Sequence, residues 1–292
     1  MAQDSTMAPD QLAQDQAAPD QTTARYEVSI ARYGTRVGRR SEVYLNHHLY
    51  READDPIVMD YFVWLVRGEG VEIVIDTGYS VAGGESRGRT LLMNPPELFA
   101  SLGVHPENAP LVLITHAHYD HIGNLAHFRE SPIVIAQKEL DFWSSRHAQR
   151  VQFHHSVEDE ELAELFAAVD AGRVTAFTDR IEIAPGIEMI EVGGHTPGQS
   201  VVRVPTAAGV VLLASDAIHY YEEFDRDMPF SSVAELVAMY EGFDRIREML
   251  DAGEIEHLVA GHDPATLDRF RPLGRSDSEL VVTIGEPAMV NR

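Results

Sequence analysis

The segment LVLITHAHYDHIGN, residues 111–124, constrains this chain more than any other stretch of its sequence. An apolar run leads into His116, His118, Asp120 and His121, so a short buried strand is expected to end where the polar side chains begin. Imidazole nitrogens and carboxylates are ligands that zinc prefers. Four donors within six positions crowd a single tetrahedral ion, which favours two metal ions over one.

Three further polar residues follow apolar strands downstream. His195 lies in EVGGHTPGQS, Asp216 in GVVLLASDAIHYY and His262 in HLVAGHDP. Because α/β folds place active sites at the carboxyl ends of buried strands, we expect these side chains to join the first cluster.

The composition limits the chemistry of such a site. The chain has 292 residues, no cysteine and a formal net charge of −24 at pH 7. A metal must therefore bind His, Asp or Glu, and so acidic a chain disfavours a nucleic-acid partner. No apolar run reaches the roughly 18 residues of a transmembrane helix, so no membrane partner is predicted. The start of the chain lacks the basic and apolar stretches of a secretory signal, which predicts a cytoplasmic protein.

Residues 1–24 differ from the rest of the chain. They contain no aromatic residue, and their only charged side chains are four aspartates, so this acidic tail is predicted to be disordered. Residues 25–292 alternate β-rich and helical stretches without a linker, which predicts a single layered α/β domain. Within it, SVEDEELAELFAAVDAG is predicted to be a helix capped by Ser156.

The combined motifs resemble those of the metallo-β-lactamase superfamily. THAHYDHIG matches its H-x-H-x-D-H signature, and GGHTPGQS, ASDA and AGHD resemble its later motifs in the same order. DTG, at residues 76–78, resembles its motif at the end of an early strand. The resemblance covers residues 25–265 and implies a four-layer αβ/βα sandwich, an α/β fold with the site at one edge.

The resemblance also implies a role for each polar residue. The first metal ion would be held by three histidines, His116, His118 and His195. The second would be held by Asp120, His121 and His262, with Asp216 bridging the two ions. Asp76 would orient the ligands. Two divalent ions per chain are therefore expected, zinc first, with manganese, iron and cobalt also suited to such ligands.

Within the superfamily, the chain resembles the branch of N-acyl homoserine lactonases, which act in quorum quenching. DAIHYYEEFDRDMPF, residues 216–230, is similar to that branch, as is the spacing of His195, Asp216 and His262. The resemblance implies a hydrolase that opens a small lactone or ester by attack of a metal-bridging hydroxide, with Asp120 as the proton shuttle. The expected partner is this small-molecule substrate, and a homodimer is compatible with the sequence.

One position departs from this pattern. Quorum-quenching lactonases commonly carry a tyrosine three residues after the bridging aspartate, where this chain has His219 followed by Tyr220. Either side chain is a candidate to donate a hydrogen bond to the developing oxyanion. Two other functions remain open: a glyoxalase-II-like thioesterase, and a non-catalytic metal-binding protein on the same fold.

Overall fold

The computed structural model describes residues 25–285. The predicted acidic tail (1–24) and the end of the predicted domain (286–292) lie outside the described residues. The described strands are β1 (Glu27–Arg39), β2 (Pro56–Gly68), β3 (Val71–Ile75), β4 (Thr90–Leu91), β5 (Leu111–Leu113), β6 (Ile133–Ala136), β7 (Val174–Phe177), β8 (Arg180–Ala184), β9 (Ile187–Glu191), β10 (Ser200–Thr206), β11 (Gly209–Ser215), β12 (His257–Ala260), β13 (Gly274–Ser276) and β14 (Val281–Ile284). The described α-helices are α1 (Arg40–Val43), α2 (Val81–Ser86), α3 (Pro95–Ser101), α4 (Tyr119–Ile122), α5 (Gln137–Trp143), α6 (Val151–His154), α7 (Asp159–Asp170), α8 (Tyr221–Asp225), α9 (Leu236–Asp251) and α10 (Thr266–Phe270). None of these helices has the length and apolar character needed to cross a membrane.

The strands form two sheets. The first runs in the order β13-β14-β1-β2-β3-β5-β6-β7, with β4 paired to β1. Its strands β3, β5, β6 and β7 are parallel neighbours, whereas β14, β1, β2 and β3 pair antiparallel in turn. The second sheet runs in the order β12-β11-β10-β9-β8, and β11 with β12 is its parallel pair.

Alternation along the strands divides the core into layers. Trp64 of β2 belongs to the same buried cluster as Leu213 of β11, between the two sheets. Leu65, the next residue of β2, belongs to a cluster that includes Trp143 of α5 and covers the outer face of the first sheet. Phe243 of α9 belongs to the cluster on the outer face of the second sheet. This order of helix, sheet, sheet and helix confirms the predicted four-layer αβ/βα sandwich.

The carboxyl ends of several strands meet at one edge of the sandwich. Asp76 directly follows β3, Asp216 directly follows β11, and His262 lies two residues beyond β12. The two sheets are also joined there, because the N–H of Ser200 donates to the carbonyl oxygen of Thr115 at 3.0 Å. The topology therefore gathers at one edge residues that are far apart in the sequence.

The helix predicted to be capped by Ser156 begins three residues later. α7 starts at Asp159, and its N-cap residue is Glu158, without a side-chain cap. The carbonyl oxygen of Ser156 instead accepts the N–H of Tyr119 at 2.9 Å, at the start of α4. The predicted cap is therefore wrong, because a tertiary contact holds the Ser156 backbone outside the helix.

Glu161 of α7 is a partly buried carboxyl group at the contact with α2. Ser80, the N-cap residue of α2, donates its hydroxyl to Glu161 Oε1 at 2.7 Å. The other oxygen, Oε2, is buried and has no hydrogen-bond partner among the described residues. Burial raises the pKa of Glu161 to about 7, and the charged groups that face it are Glu158, Arg87 and Asp120. Arg87 forms a salt bridge with Glu158.

This raised pKa makes stability depend on pH. Between the ordinary value of 4.5 and about 7, the folded chain binds more protons than the unfolded chain, so its free energy of unfolding falls as the pH rises. We expect Glu161→Gln, which stays neutral, to match the wild type below pH 4.5 and to exceed its free energy of unfolding by about 1–3 kcal/mol near pH 8. Urea denaturation of the metal-free proteins measures this difference. Glu160→Gln is the matched control, because Glu160 is an exposed neighbour on the same helix. Parallel pH profiles for Glu161→Gln and the wild type would contradict the prediction.

Candidate metal centre

The structure brings all seven predicted metal ligands together in one buried cluster. Their ligand atoms form three overlapping sets, each with all its atoms within 4.8 Å of one another. The sets are His116, His118 and His195; His116, His121 and Asp216; and Asp120, His121 and His262. None of these seven residues is more than 7% exposed. Burial of so many ionisable groups at one point is costly unless they are paired or bind a metal.

Asp216 lies between the two halves of the cluster. Its Oδ1 is 3.1 Å from His262 Nε2 and 3.3 Å from His121 Nε2. Its Oδ2 is 3.3 Å from His195 Nε2 and 3.8 Å from His116 Nε2. One carboxylate therefore faces both groups of histidines, which is the position expected of a ligand shared by two ions.

Asp120 completes the side of the cluster that contains His121 and His262. Its Oδ1 lies 3.8 Å from His121 Nε2, and its Oδ2 lies 3.8 Å from His262 Nε2. The other nitrogen of His262, Nδ1, donates to the carbonyl oxygen of Asp60 at 2.7 Å. This bond leaves Nε2 of His262 directed at the cluster.

His118 and His195 meet on the opposite side. His118 Nδ1 and His195 Nε2 are 2.9 Å apart, and His195 Nδ1 donates to the carbonyl oxygen of Ser232 at 2.7 Å. Burial lowers the pKa of His118 well below its usual range and that of His195 to about 3. Both imidazoles are therefore neutral at pH 7 and able to act as ligands.

The residues present fit the metal ions that the family resemblance implies. Nε2 of His116 and Nε2 of His121 are buried and have no hydrogen-bond partner within residues 25–285. Lone pairs and carboxylate oxygens directed at the same space repel one another, and a cation between them relieves this repulsion. Imidazole and carboxylate ligands suit zinc and other first-row divalent ions.

Asp76 holds His121 in this orientation. Its Oδ2 lies 2.7 Å from His121 Nδ1 and accepts the hydroxyl of Thr115 at 2.7 Å, while its Oδ1 accepts the N–H of Thr115 at 2.8 Å. With Nδ1 bound, His121 presents Nε2 to the cluster. Asp76 adopts a φ of 58°, which is uncommon for a residue other than glycine. The placement is that expected of a ligand-orienting carboxylate.

Glu139 was not singled out by the sequence, yet it joins two ligand-bearing loops. Its Oε1 accepts the N–H of Ala117 at 2.9 Å and Nε1–H of Trp143 at 2.7 Å. Its Oε2 accepts the hydroxyl of Thr196 at 2.7 Å and the N–H of Gly198 at 3.0 Å. Ala117 lies between two of the predicted ligands, and Thr196 follows a third. No local pattern reveals Glu139, because most of its donors come from distant segments.

A cavity of about 270 Å³ opens over the cluster. The cluster residues exposed to it are His118, Asp120, His195 and Asp216. Its walls include Arg36, Met59, Tyr61, Arg89, Tyr119 and Phe230. A second cavity of about 340 Å³ shares His118 and His195 with the first and is lined further out by Phe142 and Phe153. A small molecule entering the first cavity therefore contacts the cluster directly.

The two predicted oxyanion donors, His219 and Tyr220, do not line this first cavity. The hydroxyl of Tyr220 donates to the carbonyl oxygen of Val58 at 3.2 Å. His219 is fully buried, and its Nε2 lies 3.2 Å from Asp216 Oδ2. The geometry therefore brings His219 to the cluster but offers neither side chain as a donor to a substrate.

Fold and cluster together define a class of protein. The Metallo-beta-lactamase superfamily matches residues 58–268, and the chain belongs to this superfamily. An N-acyl homoserine lactonase from Bacillus sp is 26% identical over 163 residues, which are 56% of this chain. The chain spans 59% of the length of that lactonase. An acyl-coenzyme A thioesterase from Gallus gallus is 25% identical over 218 residues, which cover 68% of this chain and 71% of the thioesterase.

Solved structures show the same fold. A quorum-quenching N-acyl homoserine lactone lactonase superposes with a TM-score of 0.69 at 19% identity, over 84% of this chain and 95% of its own. AidC, a dizinc quorum-quenching lactonase, superposes with a TM-score of 0.62 at 19% identity, over 92% of this chain and 100% of its own. At these identities the likeness establishes the fold alone.

The four hydrogen bonds of Glu139 predict the effect of its substitution. In Glu139→Gln an amide NH₂ replaces one carboxylate oxygen and faces two donors, so two buried hydrogen bonds are lost. We expect the free energy of unfolding of the metal-free protein to fall by about 2–4 kcal/mol and the zinc affinity by at least about 10-fold. Urea denaturation and competition with a chromophoric chelator measure the two effects. Glu130→Gln, at an exposed site, is the control; if both variants behave alike, Glu139 does not support the centre.

Proposed function

We propose that this chain is a dinuclear metal-dependent hydrolase that opens a lactone or cleaves a related ester. The observation that carries the proposal is the set of buried nitrogen and oxygen donors on both sides of Asp216, at the bottom of an open cavity. A purely structural cluster has no need of such access. The lactonase relatives support N-acyl homoserine lactones, and hence quorum quenching, as the substrate class and role to test first.

The proposed ligands divide between two ions. The first ion is assigned His116, His118 and His195. The second ion is assigned Asp120, His121 and His262, with Asp216 shared by both. Zinc is the first choice for both positions, and manganese, iron and cobalt suit the same ligands.

Bound divalent ions would supply a water activated near neutral pH and an electrophile that polarises the scissile carbonyl. The chain's own residues account for the rest. Asp120 and Asp216 place two negative charges against the four positive charges of two divalent ions, so the site keeps a net positive charge that favours a developing oxyanion.

Asp120 is the proposed proton carrier. Its carboxylate lines the cavity and lies 3.8 Å from the nearest nitrogens of His121 and His262. It can therefore hold the proton released by the attacking water and deliver it to the leaving alkoxide. Asp76 keeps the His121 ring from turning during this transfer.

A screen of metal-loaded protein with a pH indicator tests the proposal. Acyl homoserine lactones and other γ- and δ-lactones are compared with aryl esters, thioesters and phosphodiesters. We expect lactone or ester turnover, and we expect Asp120→Asn and His118→Ala to lower kcat/KM by at least about 100-fold while circular dichroism shows an intact fold. His48→Gln, at an exposed position, is the control.

Full activity and full metal content in either cluster variant would overturn the assignment. Two bound ions with no turnover of any substrate would favour a non-catalytic metal-binding protein. Turnover of thioesters or phosphodiesters alone would exclude the lactonase proposal.

Thioester hydrolysis is a second candidate, because the cavity presents arginines that are free to bind an anion. Arg36 and Arg89 both line it, and neither forms a salt bridge within the described part of the chain. Arg36 Nε donates to the sulfur of Met59 at 3.3 Å. Arg89 donates to the hydroxyl of Tyr119 at 3.1 Å and to the carbonyl oxygen of Arg87 at 2.9 Å.

These contacts leave guanidinium N–H groups available at the cavity wall. Among residues 25–285, Glu42 is the one carboxylate outside the cluster that lines the same cavity. In a chain with a net charge of −24, unpaired arginines over the centre favour a substrate that carries phosphate or carboxylate groups, as coenzyme A thioesters do.

A matched pair of thioesters tests this second candidate. The same acyl group is presented on coenzyme A, which is anionic, and on N-acetylcysteamine, which is neutral. For the double variant Arg36→Gln/Arg89→Gln, we expect the ratio of kcat/KM for the anionic to the neutral thioester to fall by at least about 10-fold, because charge-assisted hydrogen bonds are lost. Arg146→Gln, an exposed arginine outside the cavity, is the control. An unchanged ratio would show that the arginines do not select an anionic substrate.

A further inference from the structure

His219 has two buried polar contacts, one on each ring nitrogen. Its Nδ1 lies 3.2 Å from Glu223 Oε2, and its Nε2 lies 3.2 Å from Asp216 Oδ2. The ring stacks on Phe230 with a centroid distance of 3.8 Å and an interplanar angle of 11°. These contacts fix the plane of the ring and direct Nε2 at the proposed bridging carboxylate.

Glu223 is itself firmly held. Its Oε2 accepts the N–H of His219 at 2.6 Å and that of Tyr220 at 3.2 Å, and its Oε1 accepts the N–H of Phe230 at 2.9 Å. The same oxygen, Oε2, lies 3.2 Å from His219 Nδ1, which places the Nδ1–H of His219 within hydrogen-bonding distance of it. With Nδ1 directed at Glu223, Nε2 is the ring nitrogen that faces Asp216.

Nε2 of His219 faces a carboxylate oxygen, a group that accepts hydrogen bonds. Nε2 is buried, and no partner in hydrogen-bonding geometry is found for it among residues 25–285, although Asp216 Oδ2 is 3.2 Å away. Two acceptors at this distance repel unless a proton or a metal ion lies between them. In the metal-free chain a proton on Nε2 would satisfy the contact, and in the metal-loaded chain an ion would do so.

The same arrangement recurs on the other oxygen of Asp216. His121 is bound at Nδ1 by the carboxylate of Asp76 at 2.7 Å, and its Nε2 lies 3.3 Å from Asp216 Oδ1 without a hydrogen-bond partner in the described chain. His121 is one of the assigned ligands. The pair of Glu223 and His219 thus reproduces, on the opposite side of Asp216, the pair of Asp76 and His121.

We propose that His219 is an additional metal ligand, bound through Nε2 to the ion assigned to His116, His118 and His195. Glu223 is its positioning residue. The ligand atoms of His195, Asp216 and His219 lie within 4.8 Å of one another, as in the three sets already assigned. Because His219 does not line the first cavity, it acts on the ion and not on the substrate. The inference rests on the proposed dinuclear centre.

The extra imidazole changes the metal preference of that position. Three histidines and Asp216 already supply four ligands, so His219 makes a fifth. Five protein ligands disfavour the tetrahedral geometry of structural zinc and favour ions that accept higher coordination, such as cobalt, manganese or iron.

Counting coordinated imidazoles in the cobalt-substituted protein tests the inference. Each histidine bound to Co²⁺ retains one ring N–H, whose proton resonance is strongly shifted by the paramagnetic ion. The proposed centre without His219 contains five histidines, so we expect six shifted N–H signals from wild-type protein labelled with ¹⁵N-histidine. In His219→Gln we expect five signals and an affinity for one of the two ions reduced by at least about 10-fold.

His155→Gln is the control, because His155 lines the first cavity, over the cluster, but belongs to none of the donor sets. If His219→Gln does not fold, the number of shifted N–H signals in the wild-type protein alone tests whether His219 binds the ion. Two bound cobalt ions with only five signals overturn the inference and leave the proposed function intact. Six signals in a chain that hydrolyses no lactone, ester or thioester support the inference and overturn the proposed function. A chain that binds no cobalt overturns both.

Discussion

The geometry of the centre depends on the contacts that the Asp216 carboxylate makes with the surrounding histidines. This carboxylate lies at the end of β11, where the two sheets meet, and its two oxygens face different groups of histidines. The backbone is shaped to place it there. Ser215 adopts a φ of 47°, and a Cβ at Gly261 would lie 2.5 Å from the carbonyl oxygen of Ser215. Only glycine therefore lets the end of β12, with His262, approach this closely.

Buried carboxylates hold the loops that carry the histidines. Asp76 binds Thr115 and His121, Glu139 binds Ala117 and Thr196, and Glu223 accepts the backbone N–H of His219. These loops lie outside the sheets and lack regular backbone hydrogen bonds. Each carboxylate accepts several N–H or O–H groups at once, so it supplies the rigidity that a loop cannot supply for itself.

The clustering of the seven proposed ligands could be predicted from the sequence, because each of them follows an apolar strand. An apolar strand precedes His195, Asp216 and His262 in this way. The order of the layers follows from the alternation of strands and helices along the chain. The supporting residues could not be found in the same way. Glu139 and Glu223 bind donors that are brought near them only by folding.

At two positions a tertiary contact overrides a local sequence pattern. The S-x-x-D pattern at Ser156 suggested a helix cap, but the Ser156 carbonyl binds Tyr119 at the edge of the site. Tyr220 was a candidate donor to the substrate, but its hydroxyl binds the carbonyl oxygen of Val58 in β2. In both cases the local sequence pattern is present, but a partner distant in sequence determines which hydrogen bond the residue forms.

The span of the proposed ligand set would have a consequence for the lifetime of the protein. His116 and His262 are 146 residues apart (262 − 116), and the chain has no cysteine with which to form a covalent cross-link. Ions held by both ends would join the two sheets at their common edge, and this edge would then open only when the ions are released. The folded chain also carries a net charge of −24, which favours expansion. With the centre loaded, metal supply would set how long the folded protein survives proteolysis, in addition to whether it turns over a substrate.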